Sequence, residues 1–117
     1  MKPGDAVVPG GGPVPYPPGT RDLHHEVELV VALGRDADGE VAAADALGLV
    51  FGYGVGLDLT RRDLQAAAKA KGLPWDTAKG FDHSAPASEL VPVADGAQGA
   101  SGRLWMRVNG DLRQQGP

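Results

Sequence analysis

Along Leu23–Leu33 (LHHEVELVVAL) apolar and acidic residues alternate. Successive side chains of a β-strand point to opposite faces. Val27, Leu29 and Val31 therefore share one face, which reads as core, and Glu26 and Glu28 share the other, with His24 beside them. The pattern predicts a strand over Leu23–Leu33, followed by a polar turn at Gly34–Gly39 (GRDADG). The Ala-rich run Glu40–Leu49 (EVAAADALGL) has helical spacing and predicts a short helix. Val50–Leu59 (VFGYGVGLDL) alternates differently: Val50, Gly52, Gly54 and Gly56 lie on one face, Phe51, Tyr53, Val55 and Leu57 on the other. A strand with a bare face lets another backbone or a ligand approach closely.

The run TRRD, Thr60 to Asp63, matches the capping pattern of a hydroxyl followed three residues later by an acid. A helix is expected from about Arg61 to Lys71, with Gly72 in the left-handed position after it and Pro74 barring its continuation. Leu73–Ala87 reads as irregular and Glu89–Val93 as a short strand. Leu104–Val108 and Asp111–Gln114 flank Asn109-Gly110, the strongest short hairpin signal. The elements together predict a mainly β protein with short helices, of the α+β class. No internal repeat is visible.

Gly (18) and Pro (10) make up about a quarter of the 117 residues, roughly double their usual share. This disfavours a helical bundle. The excess is densest in residues 1–22, where Pro forbids a long helix or a central strand. Ala6, Val7, Val8, Val14 and Tyr16 mark that segment as an extended strap lying on a surface. One domain is expected: the strap 1–22 and a core at 23–117. With two residues each of Phe, Trp and Tyr, the core rests on Val, Leu and Ala. The absence of cysteine removes disulfides and thiolate metal sites. A net charge of −4 without a Lys/Arg cluster gives no reason to expect nucleic acid. No apolar run approaches membrane-spanning length and no leader is visible, so the expectation is a cytoplasmic protein with no membrane partner.

Same-face neighbours on a strand lie only about 7 Å apart, so Glu26 and Glu28 repel unless something positive sits between them. A divalent cation is the economical answer, since hard ions such as Mg²⁺ take carboxylate oxygens. Asp58, at the tip of the Gly-faced strand, offers a third carboxylate. By spacing alone the same residues also suit a solvated outer face and a turn. Arg62 and Gln65 lie one helical turn apart and could grip a carboxylate, or form an ordinary polar helix face. Lys79 sits in a Gly-flanked loop between Trp75 and Phe81, as an electrostatic catalyst or simply exposed. His24, His25 and His83 read as structural or exposed. No nucleophilic serine motif, phosphate-cradling glycine loop or zinc-binding helix is present.

Taken together, LHHEVELVVALG (23–34), GYGVGLDLTRRDLQ (52–65), KGLPWDTAKGFDHSAP (71–86) and LWMRVNGDLRQ (104–114), with the strap KPGDAVVPGGG, resemble the fumarylacetoacetate hydrolase family. The likeness is greatest to bacterial fumarylpyruvate hydrolases and acylpyruvases and covers the whole chain. It implies a rolled mixed β-sheet of that family's C-terminal type. It further implies a metal site of Glu26, Glu28 and Asp58 holding Mg²⁺, Mn²⁺ or Ca²⁺, substrate contacts from Arg62 and Gln65, and a catalytic Lys79. The implied reaction is hydrolysis of a carbon–carbon bond in a small 1,3-diketo acid, with fumarylpyruvate favoured by LPWDTAKGFDHSAP. Acylpyruvase or oxaloacetate decarboxylase activity is the nearest alternative, and a non-catalytic metal-binding or dimerising piece the more distant one. A homodimer is implied for the full-length protein. The family's water-activating His and Glu, and its Thr-Gly-Thr-Pro loop, have no counterpart here. The chain is therefore expected to be a central portion of the catalytic domain, truncated at both ends and poorly active alone.

Overall fold

The computed structural model describes residues 2–96, 99 and 101–117; Met1 of the strap lies outside them. In chain order the elements are β1 (Val7–Pro9), β2 (Leu23–His24), β3 (Val27–Leu33), β4 (Val50–Leu57), β5 (Thr60–Arg61), α1 (Arg62–Ala70), α2 (Asp76–Lys79), β6 (Ala85–Ala87), β7 (Val91–Pro92), β8 (Leu104–Val108) and β9 (Asp111–Gly116). A mixed sheet runs β1-β6-β4-β3, with β7 also paired to β4; β2–β5 and β8–β9 form separate two-stranded pairs. The Pro-rich strap contributes a 3₁₀ turn at Gly4–Ala6 and, to the sheet, the edge strand β1, parallel to β6, where a missing N–H is tolerated. The class is mainly β with short helices, as the sequence implied. No helix among the described residues is long and apolar enough to cross a membrane.

Several local expectations are corrected. The single strand over Leu23–Leu33 is two, interrupted at His25 and Glu26: β2 pairs antiparallel with β5 and β3 with β4. The break turns the chain from one partner to the other. The helix at Glu40–Leu49 is a single 3₁₀ turn, Ala46–Leu49. Its Ala side chains offer little to bury, and Leu47 stands 70% exposed, so packing does not reinforce propensity. Thr60 does not cap α1. It lies fully buried in β5 and its Oγ1 donates to the Asp58 carbonyl at 3.1 Å. The Asp63 carboxylate instead accepts hydrogen bonds from Thr20 Oγ1 at 2.6 Å and the Arg21 amide at 3.0 Å, fastening the strap to α1.

Other readings match closely. Helix α1 ends in a Schellman motif, with Gly72 at φ +65° and the Leu73 amide donating to the Ala68 carbonyl at 3.0 Å. Asn109 and Gly110 both have positive φ, as the tight turn between β8 and β9 requires. The bare face of β4 is crossed by backbone: a methyl on Gly52 would sit 2.5 Å from the Val91 carbonyl oxygen, and one on Gly54 would meet Ser88 and Leu90 at 3.1 Å. Of the two occupants the sequence allowed, that face holds chain.

The tightest packing lies at one end of the sheet. Ala6, Val27, Leu59, Ala78 and Phe81 are buried there along with Thr60 and Ser84. Of the expected core face of β3, only Val27 is buried; Leu29 and Val31 are each 47% exposed.

Candidate active site

Pairing sets the positions of the three carboxylates. β3 and β4 place Val27 opposite Leu57 and Glu28 opposite Gly56. One residue further, the Asp58 amide donates to the Glu26 carbonyl at 2.8 Å, so Glu26 and Asp58 stand side by side where the two strands end. Gly56, having no side chain, lets Val30 pack closely beside it. One oxygen from each of Glu26, Glu28 and Asp58 lies within 4.8 Å of the others.

Three cations surround them. Lys79 Nζ, delivered by the one-turn helix α2, donates to Glu26 Oε2 at 2.8 Å and to Asp58 Oδ2 at 2.7 Å. Arg62, the first residue of α1, donates from one terminal nitrogen to Glu26 Oε1 at 2.6 Å and from the other to Gln65 Oε1 at 2.6 Å. Lys2 Nζ comes in from the strap, 2.9 Å from Asp58 Oδ1, and donates to the carbonyls of Leu59 (2.8 Å) and Lys79. Glu28 makes no ion pair among the described residues and is exposed. The repulsion posed by the Glu26/Glu28 pair is relieved on the Glu26 side alone.

The electrostatics follow. Burial pushes the Glu26 carboxyl up, but hydrogen bonds from Lys79 and Arg62 outweigh it and hold it below its usual range. For Asp58, burial likewise opposes ionisation, and the hydrogen bond from Lys79 together with the Lys2 ammonium beside it overcomes that. Burial acts against the Lys79 ammonium too, yet its two carboxylates raise its pKa. Lys2 goes the other way, because burial outweighs the pull of Asp58. The directions for Glu26, Asp58 and Lys79 all favour the charged forms.

An oxygen-only donor set of this kind fits a hard divalent cation, whose ligands lie about 2.0–2.6 Å from the ion. Asp58 Oδ1 is buried and accepts no hydrogen bond. The Lys2 ammonium pairs with it by charge at 2.9 Å. A cavity of about 380 Å³ adjoins the cluster, polar at Lys2, Glu28 and Asp58 and apolar at Val7, Val30 and Pro86.

The structure thus brings together all six residues singled out from the sequence. It adds Lys2, which stands 56 positions from Asp58 and in no helical or strand register with it. Its only sequence signal was its membership of the strap motif. His24 lies 3.0 Å from Asp22 instead.

The profile of the fumarylacetoacetate (FAA) hydrolase C-terminal family matches residues 1–117. The chain belongs to the fumarylacetoacetate hydrolase family. It is 48% identical over 116 residues to the mitochondrial oxaloacetate tautomerase of Rattus norvegicus, covering 99% of this chain and 52% of that protein. It is 43% identical over 108 residues to a Ralstonia fumarylpyruvate hydrolase, covering 92% of this chain and 55% of that one. Among solved structures, the Pseudomonas aeruginosa fumarylpyruvate hydrolase in complex with Mn²⁺ and pyruvate superposes with a TM-score of 0.91 at 39% identity, over 98% of this chain and 51% of that chain. The chain spans about half the length of these family members.

Proposed function

We propose that this chain carries the metal and substrate site of a divalent-metal-dependent hydrolase that cleaves fumarylpyruvate, with water, into fumarate and pyruvate. The observation that carries the reading is the meeting of Glu26, Glu28 and Asp58 with Lys2, Arg62 and Lys79. Counted at their ordinary formal charges, the three carboxylates and three basic side chains balance. A bound Mg²⁺ or Mn²⁺ then leaves the site with an excess of two positive charges, which a dicarboxylate such as fumarylpyruvate neutralises.

Glu26, Glu28 and Asp58 would hold the cation, which supplies Lewis-acid polarisation of a carbonyl oxygen. Arg62 spends two of its five N–H donors on Glu26 and Gln65. The remaining donors, with the Gln65 amide nitrogen, suit one substrate carboxylate. Lys79, raised above its usual pKa, keeps its proton and stabilises negative charge that develops on the substrate. Lys2 holds Asp58 and the Lys79 carbonyl in place. None of the three histidines hydrogen-bonds to this cluster among the described residues.

A second reading, oxaloacetate enol–keto interconversion, is favoured by the 48% identical relative that bears that activity in its name. The same groups serve it, with no water to activate. Titration with pyruvate in the presence and absence of Mn²⁺ tests the shared site: pyruvate should bind only when the metal is present. Following fumarylpyruvate loss and oxaloacetate enol decay in parallel then separates the two reactions. Metal-independent binding of pyruvate would remove the proposal. The same reading carries a homodimer, favoured by the half-exposed Leu29, Val31 and Phe51; sedimentation checks it.

A further inference from the structure

The backbone between the two glutamates is held from a distant part of the chain. Residues facing one another in an antiparallel ladder alternate between bonded and non-bonded pairs. The Asp58 amide reaches the Glu26 carbonyl, and Val27 faces Leu57 in the next pair. The N–H and C=O of Val27 itself therefore point away from β4, toward the outer edge of the sheet. There they meet one side chain, Gln114 of β9, 87 residues along the chain. Gln114 Oε1 accepts from the Val27 amide at 2.7 Å, and Gln114 Nε2 donates to the Val27 carbonyl at 2.9 Å. A carboxamide offers one acceptor and two donors, so it satisfies both groups as a paired strand would.

Those two bonds grip two consecutive peptide planes. The Val27 amide belongs to the plane joining Glu26 to Val27, and the Val27 carbonyl to the plane joining Val27 to Glu28. The first plane is also tied on its other side, through the Asp58 amide. Rotation of either plane would swing a glutamate away from Asp58. Val27 is only 4% exposed, so water is a poor substitute for the lost partner.

We infer that Gln114 is a positioning residue for the carboxylate site: by clamping Val27 it fixes the spacing at which Glu26 and Glu28 face Asp58. The inference rests on the metal reading above. The competing role for Gln114 is to fasten the β8–β9 hairpin to the sheet, with no consequence for the carboxylates.

The test measures Mn²⁺ affinity by electron paramagnetic resonance and Val27 amide exchange by NMR, in the purified protein and two variants. Gln114→Met preserves the length of the side chain and removes both bonds. Arg107→Ala removes the guanidinium bond to the Gly110 carbonyl, 2.7 Å long, inside the hairpin turn, and leaves Gln114 intact. The expected result is a cooperative melt for all three. Mn²⁺ affinity should fall about ten- to a hundred-fold in Gln114→Met, the usual cost of losing a group that orients metal ligands, with faster Val27 exchange. Arg107→Ala should match the parent protein. Equal affinity in Gln114→Met and parent overturns the inference. So does an equal loss in Arg107→Ala, or failure of Gln114→Met to fold, since either assigns Gln114 to stability alone. No Mn²⁺ binding by the parent protein overturns the metal reading first and the clamp with it.

Discussion

Val27 and Leu33 sit on the same strand and the same face, yet Val27 is 4% exposed and Leu33 67%. Between them Leu29 and Val31 are each 47% exposed. Alternation along β3 sets which way these side chains point, and has no bearing on what covers them. At the Val27 end the strap, β2, β5, α1, α2 and the hairpin side chain Gln114 all arrive. At the Leu33 end β3 pairs with β4, beyond which lies β7, and leads into the mostly irregular connection 34–49. The well-packed end is also the charged end. Burial there keeps water from Glu26, Asp58, Lys79 and Lys2, which strengthens every ion pair among them.

That contrast can be broken by mutation. Asp58→Ala removes the carboxylate that both lysines hold. Mn²⁺ affinity should drop by more than the roughly hundred-fold that loss of a merely supporting partner costs, as calorimetry would record. Lys79→Met should lower turnover by about 10²–10³, the scale for removing one donor from a developing anion, with a smaller change in pyruvate affinity. At the packed end, Val27→Ala should cost about 1–2 kcal/mol of stability in urea unfolding. At the open end, Leu33→Ala should cost less than about 0.5 kcal/mol. Similar values for the two would erase the distinction between the ends.

Acid sharpens it from another side. Glu26 and Asp58 are held below their ordinary values, so their contribution to stability is complete above the unfolded carboxyl range. It is lost as pH falls through the folded values, below about pH 4. Melting temperature should therefore fall from pH 5 to pH 3, and the fall should shrink in Asp58→Asn. A melt indifferent to this range would mean that the ion pairs contribute little.

Much of this was readable from residues alone, where the signal is local. The Asn109-Gly110 turn, the Gly72 terminus of α1 and the Gly face of β4 each follow from backbone sterics within a few positions. The joint pattern of Glu26, Glu28, Asp58, Arg62, Gln65 and Lys79 pointed to residues that do converge. What failed was local inference about a non-local decision. TRRD reads as a cap, but β5 takes Thr60 into a two-stranded pair and the strap claims Asp63. EVAAADALGL has helical spacing, but nothing among the described elements buries it. Lys2 and Gln114 carry no spacing relation to the carboxylates, since the strap and the hairpin reach them only through the fold.

The glycine face of β4 has a consequence for how this protein can be recombined. Gly52 admits the crossing chain at Val91–Pro92 at a separation no larger residue tolerates, and Gly54 meets residues 88–90 almost as closely. Neither segment can be exchanged by itself. A chimera that imports a β4 with a larger residue at position 52 must import a matching crossing with it, because at Gly52 only a hydrogen atom fits against the Val91 carbonyl. The two stretches, far apart in sequence, make up one heritable unit.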